Sequence, residues 1–159
     1  MAIEQLVENQ LNEWTQSDID PILALCVLRG AAFFFCDLTR LLPHQSVEIA
    51  FCSCSSYGYD ESSSGQVKIE GLNTSVKSRR VLIVDDIYDS GLTMKVLSEK
   101  LLTLGAREVK TCTMFKRENS NSGPDFFCFT ASEGDWLVGY GMDDKGMMRN
   151  LPHVEAKKT

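Results

Sequence analysis

Apolar positions in this chain fall into short blocks separated by polar turns, and the blocks differ in period. From Ile3 to Trp14 the residues Ile3, Leu6, Val7, Leu11 and Trp14 recur every three or four positions, which predicts a short helix ended by the polar break at Ser17 and Asp18. The next block, ILALCVL (22–28), is apolar throughout and of strand length; Arg29-Gly30 ends it. AAFFFCDLTRLL (31–42) then keeps its apolar positions at helical spacing until Pro43. The same order of strand, glycine-containing turn and helix recurs at RRVLIVDD (79–86), where the helix runs from Leu92 to Leu104 and Gly105 closes it as a left-handed cap. VEIAFCSC (47–54), REVKTCTMF (107–115) and DWLVGYG (135–141) predict further strands. Apolar strands alternating with helices predict an α/β fold: one domain, residues 1–159, on a twisted, mainly parallel sheet covered on both faces.

Two polar stretches interrupt this pattern. Residues 55–78 are rich in Ser and Gly and then alternate in QVKIEGL, which suits either a solvated hairpin or a mobile lid. KRENSNSGPD (116–125) reads as a plain surface loop.

Composition narrows the function classes. With 159 residues, 43% of them apolar, the chain can bury an ordinary core. Its formal charge of −6 argues against nucleic acid as a partner, because such surfaces need clustered Lys and Arg to displace counterions. An anionic ligand must therefore be held by local groups. The six cysteines show no CxxC spacing and only His44 and His153 could complete a metal set, so they read as buried reduced thiols in a cytoplasmic protein. The start, MAIEQLVENQ, is not built like a signal peptide, and no segment is long and apolar enough to span a membrane.

The chemistry concentrates after VLIV. In an open parallel sheet ligands bind outside the carboxyl ends of the strands, where Asp85 and Asp86 are expected. The turn Asp89-Ser90-Gly91-Leu92-Thr93 leads into a helix N-terminus, whose free N–H groups and dipole suit a phosphate. Carboxylates that accept from hydroxyls thus stand beside donors for a phosphate, a pairing that fits a ribose 5-phosphate. Asp89 or Ser90 as a mere helix cap would account for one of these residues but not for three neighbouring carboxylates. A receiver domain of two-component signalling also begins VLIVDD, but TCTMF lacks the acidic strand end and too few residues follow Asp86.

VLIVDDIYDSGLT resembles the phosphoribosyl-pyrophosphate signature of type I phosphoribosyltransferases, and the rest is similar to their hypoxanthine-guanine branch. LCVLRGAAFFFCDLTRLL resembles that branch's first strand, pyrophosphate loop and helix; SSYG followed by SSGQVKI resembles its mobile loop, here about residues 55–66. WLVGYGMDDKGMMRNLP resembles its purine-binding C-terminal hood, here about residues 134–153. The resemblance implies transfer of a phosphoribosyl group to N9 of a 6-oxopurine such as hypoxanthine or guanine, with Mg2+ as cofactor and a homodimer or homotetramer as the assembly.

Residue by residue, the resemblance implies that Asp85 and Asp86 hold the ribose hydroxyls directly or through magnesium, although the family usually has Glu-Asp there. Asp89 matches the general base or acid at purine N7. Ser90, Gly91, Leu92 and Thr93 match the 5-phosphate loop, and Leu28, Arg29 and Gly30 match the pyrophosphate loop, whose Leu–Arg peptide is often cis. Ser56 and Tyr57 match lid residues. Trp136 is expected to stack on the purine, Leu137 to offer its backbone to the base edge, Asp143 to hold magnesium and Arg149 to touch pyrophosphate. Relatives place a Lys just beyond the strand matching TCTMF, to donate to the 6-oxo group; ungapped matching puts Arg117 there, and a one-residue deletion would put Lys116 there. Neighbouring side chains at a strand end point to opposite faces, so one of the two is expected to reach the base, and ungapped matching favours Arg117.

Overall fold

The computed structural model describes residues 2–16, 21–42, 47–57, 66–120 and 122–158. Its main sheet has six strands: β1 (Ile22–Leu28), β2 (Val47–Tyr57), β3 (Gln66–Glu70), β4 (Arg80–Tyr88), β5 (Glu108–Arg117) and β6 (Phe126–Ala131), in the order β3-β2-β1-β4-β5-β6. All neighbours are parallel except β2 and β3. The chain moves one way from β1 to β2 and the other way from β4 to β5, so the strand order reverses between β1 and β4. That switch point leaves a crevice at the carboxyl ends of both strands.

Alternation along the buried strands feeds two cores. Ile22, Ala24 and Cys26 of β1 with Leu82 and Val84 of β4 pack against Phe34, Phe35 and Leu38 of α3 (Ala32–Leu41) and against the N-terminal helix. Leu23, Leu25 and Val27 with Val81 and Ile83 pack against Met94, Leu97 and Leu101 of α4 (Leu92–Thr103). Because both faces are covered, each of these central strands is apolar at consecutive positions. The N-terminal helix is interrupted: α1 (Ala2–Leu6) and α2 (Asn12–Gln16) flank a π-helical turn at Val7–Leu11. Arg80 locks this segment to β4. Its side chain is only 1% exposed, its guanidinium lies 4.3 Å from the Trp14 ring centroid, and it donates to the Trp14 carbonyl.

Several element boundaries differ from expectation. β2 continues through Ser55 to Tyr57, because those residues pair antiparallel with Lys68, Val67 and Gln66. Only residues 58–65 then separate the hairpin strands, and they lie outside the described residues, as do Ser17, Asp18, Pro43 and His44. β4 runs two residues past Asp86, since Asp85, Ile87 and Tyr88 pair with Thr113, Phe115 and Lys116. On its other side β4 pairs with β1 only as far as Val84. The two carboxylates are therefore inside the ladder toward β5 and at its end toward β1. β7 (Asp135–Val138) stops before Gly139 and does not join the main sheet; it pairs with β8 (Glu155–Lys158), a strand the hydrophobic pattern does not announce. β6 was likewise not expected, and Cys36 is exposed rather than buried. The other five cysteines are buried or half-buried; burial holds the Cys128 thiol up at about 11 and, with the nearby Asp85, the Cys26 thiol at about 12. Gly105 does take the left-handed conformation, φ 92°. No helix among the described residues is long and apolar enough to cross a membrane.

Candidate active site

The crevice is built first by backbone approach. The peptide between Leu28 and Arg29 is cis, and Gly30 follows it directly over the Asp86 carboxylate, where any Cβ would overlap the carboxylate oxygen. Asp85 accepts from the N–H of Asp86 at 2.9 Å, and Asp86 accepts from that of Ile87 at 3.0 Å, so both carboxylates are oriented by their own strand. Burial and the adjacent Asp86 carboxylate push Asp85 well above the usual carboxylate range. Such a pair is electrostatically incomplete, and a cation or a set of hydroxyl donors relieves it.

Beyond β4 the turn Asp89–Thr93 closes on Gly91, which is left-handed at φ 78° and stands at the N-terminus of α4. A cavity of about 60 Å³ lies in this turn, against Asp85, Ser90, Gly91 and Thr93, a volume suited to a phosphate. No side chain caps the helix; the nearest approach is Ser90 Oγ, 3.4 Å from the Leu92 N–H. Asp89 is not the cap. Its side chain is 78% exposed and points to Arg117, with Oδ1 3.5 Å from Nε.

A second chamber, about 230 Å³, opens between β4 and the C-terminal hood. Asp86, Asp89 and Arg117 line one side of it, and Trp136, Leu137 and Asp143 line the other, with Ile87 and Met142 between. Arg117 is the last residue of β5, and its guanidinium is well anchored: Nη1 donates to the carbonyls of Ser132 and Asp135 at 2.7 and 2.8 Å. Lys116 faces elsewhere, with Nζ 5.8 Å from the Phe127 ring centroid and beside Gly123. The alternation of the strand end thus selects Arg117 for this chamber. Trp136 is half exposed at its wall.

Besides the Arg117 bond to Asp135, the hood meets the body at Gly30 and at α3. Gly141, at φ 103°, packs directly on the Gly30 carbonyl, and the Tyr140 hydroxyl donates to Asp37 of α3. Arg149, expected at pyrophosphate, instead faces inward: Nη2 is 2.5 Å from Asp143 and Nη1 donates to the Gly141 carbonyl at 2.6 Å. Asp143 also accepts from the Gly146 N–H at 2.6 Å. A pyrophosphate contact by Arg149 requires it to leave these partners. Ser56 and Tyr57 lie at the end of β2, where the described structure gives only their backbone pairing.

Asp85, Asp86 and Asp143 do not converge as one metal cage; among the described residues no three His, Cys, Asp or Glu side chains do. The donor set nonetheless fits magnesium. It is a hard ion that takes one or two carboxylates and completes its shell with phosphate oxygens and water, and the unbalanced Asp85–Asp86 pair supplies such carboxylates. Residues missed by sequence reading are Ile87 and Met142 in the chamber beside the hood, and Asn119, Ser120, Ser122 and Glu133 around a further polar cavity of about 310 Å³ beside Asp89. Their only signal was adjacency to motif residues, which does not say where a loop folds.

The family model for the phosphoribosyl transferase domain matches residues 1–145. A hypoxanthine-guanine phosphoribosyltransferase from Aquifex aeolicus is 38% identical over 139 residues, covering 85% of this chain and 77% of the relative. One from Bacillus subtilis is also 38% identical, over 140 residues, covering 86% and 77%. The crystal structure of a hypoxanthine phosphoribosyltransferase from Staphylococcus aureus superposes with a TM-score of 0.84 at 27% identity, covering 99% of this chain and 87% of that one. The sheet order, the crevice at the switch point and these similarities agree, and the chain belongs to the phosphoribosyltransferase family, in its hypoxanthine-guanine branch.

Proposed function

We propose that the protein transfers the 5-phosphoribosyl group from phosphoribosyl pyrophosphate to N9 of hypoxanthine or guanine, giving the nucleoside monophosphate and pyrophosphate. The observation that carries this reading is the place of Asp89, which lines both the phosphate-sized cavity of the turn and the chamber under the hood. A sugar phosphate in the turn therefore presents its C1 toward a base in that chamber. The N–H groups at the start of α4 with Ser90 and Thr93 bind the 5-phosphate. Asp85 and Asp86 accept from the ribose hydroxyls.

In the reaction the bond from C1 to the pyrophosphate oxygen breaks and the bond from N9 to C1 forms, with positive charge developing at C1. Asp89 takes the proton that leaves N7, which removes the positive charge the ring would otherwise gain as N9 bonds to C1. Arg117 donates to the 6-oxo group with Nη2, the nitrogen its carbonyl partners leave open, and Trp136 covers the ring. Asp85 and Asp86 would hold magnesium at the ribose, and Asp143, which does not converge with them, would hold it separately on the pyrophosphate side, where the ion would screen the leaving group. Positioning and charge stabilisation do most of the work.

The test is direct. Protein, magnesium and phosphoribosyl pyrophosphate are incubated with hypoxanthine, guanine, xanthine or adenine, and nucleotide is quantified by chromatography. Nucleotide from hypoxanthine or guanine is expected, with adenine rejected because its 6-amino group leaves the Arg117 donors unpaired. Binding of phosphoribosyl pyrophosphate without turnover of any base would make the protein a non-catalytic binder.

A further inference from the structure

The turn from Asp89 to Thr93 must keep its N–H groups converging before an anion arrives, yet little within it does so. α4 has no side-chain cap, the internal brace is the 3.4 Å approach of Leu92 N–H to Ser90 Oγ, and Gly91 has the largest backbone freedom to lose. What lies beneath the turn is Tyr88. This last residue of β4 is 8% exposed and packs in the core that includes Met94 and Leu97 of α4. Its ring and hydroxyl fill the space where a Gly91 side chain would stand, so the glycine backbone rests on the phenol. The hydroxyl in turn lies 2.8 Å from Ser122 Oγ. Ser122 belongs to the connection between β5 and β6, which the sequence suggests is plain surface, and it lines the polar cavity beside Asp89 and Ser90.

We propose that Tyr88 and Ser122 are a positioning pair for the sugar-phosphate turn: the ring is the floor under Gly91, and the hydrogen bond ties that floor to the β5–β6 connection. This rests on reading the turn as the 5-phosphate site. Donors ordered in advance bind an anion more tightly, because less freedom is lost on binding. The pair touches neither C1 nor the base, so its effect belongs to the sugar phosphate rather than to the chemical step.

Tyr88→Phe keeps the ring and removes the hydroxyl; Ser122→Ala removes the partner. In each, KM for phosphoribosyl pyrophosphate is expected to rise about threefold to tenfold, the worth of one neutral hydrogen bond, while KM for the base stays within about twofold. The double variant should be no worse than the poorer single, Ser122→Thr should restore the wild-type value, and amide exchange at residues 89–94 should quicken in both single variants. An unchanged KM, a parallel rise in KM for the base, or additive effects would overturn the proposal. Should the wild-type protein form no nucleotide, the proposed function fails, and the pair is then judged by the exchange rates and by affinity for inorganic phosphate: unchanged values in both variants would overturn it as well.

Discussion

Asp89 and Arg117 show how much hangs on single side chains here. Asp89 had two readings, a helix cap or a catalytic carboxylate, and its direction excludes the cap, since it faces Arg117 and leaves the start of α4 without a side-chain cap. Asp89→Asn is expected to lower kcat by roughly 10²–10⁴, the usual worth of a positioned acid or base, with little change in KM for phosphoribosyl pyrophosphate. An unchanged kcat in steady-state assay would remove it from the reaction. Arg117 and Lys116 are neighbours with different surroundings. Arg117→Met should reduce kcat/KM for hypoxanthine by roughly 10–100-fold, because a charged donor to the base is lost. Lys116→Met should change it by less than about threefold, since Lys116 stands against Phe127. Equal losses in the two variants would contradict this assignment. Arg also differs from the family's Lys in kind: Nη1 alone donates to two carbonyls, and the guanidinium carries a further nitrogen, Nη2, that under the proposed function would donate to the base.

At the scale of elements, one carboxylate sets where β6 lies. Asp125 accepts from Lys110 Nζ, from the Thr111 N–H and from Thr111 Oγ1, each at 2.8 Å, and so pins the start of β6 beside β5. Burial by itself would raise Asp125, but the bonds from Lys110 and Thr111 outweigh it and its pKa is lowered. A carboxyl depressed on folding contributes its full stabilisation above its unfolded pKa, near 4, and loses it as pH falls through the folded value. Asp125→Asn should therefore cost about 1–3 kcal/mol at pH 7. The gap in Tm between variant and wild type should shrink below about pH 4; a gap constant from pH 7 to pH 3 would show that charge plays no part. Element prediction was most reliable where both faces of a strand are covered, as in β1, whose limits match the apolar run ILALCVL. It was poorest for β8, Glu155–Lys158, because a charged segment becomes a strand only when a partner edge, here β7, is within reach.

For the molecule as a whole, the chamber walled by Trp136 and Asp143 exists only where the hood is seated on Gly30. Gly141 packs on the Gly30 carbonyl, and Gly30 packs on Asp86, so three segments far apart in the chain are stacked without room for a side chain. Gly141→Ala is expected to lift the hood and to raise KM for the base by roughly tenfold, given a left-handed cost of about 1–2 kcal/mol added to the overlap. The Tm should fall little, because the two main cores lie on the two faces of the sheet and neither includes Gly30 or Gly141. A base KM unaffected by the substitution would show that the hood closes by another route. The net charge of −6 belongs to this scale too: it repels anions at long range, so under the proposed function phosphoribosyl pyrophosphate would be held locally, by the N–H groups of one turn and by cations at Asp85 and Asp86.

The amino-acid order alone determined the α/β class, the strand and helix of each motif, and the placing of Asp85, Asp86 and Asp89 where a strand ends and a helix begins, because hydrophobic period and turn residues act over a few positions and are local properties. Tertiary structure alone decided what depends on distant partners. Pairing with β3 and β5 extended β2 and β4, pairing with β7 made β8 a strand, and packing turned Arg117 toward the chamber beside the hood and Arg149 into the hood. It also brought Ser122 to Tyr88 from 34 positions away. Such contacts are set by the three-dimensional meeting of surfaces, and periodicity along one segment carries no information about them.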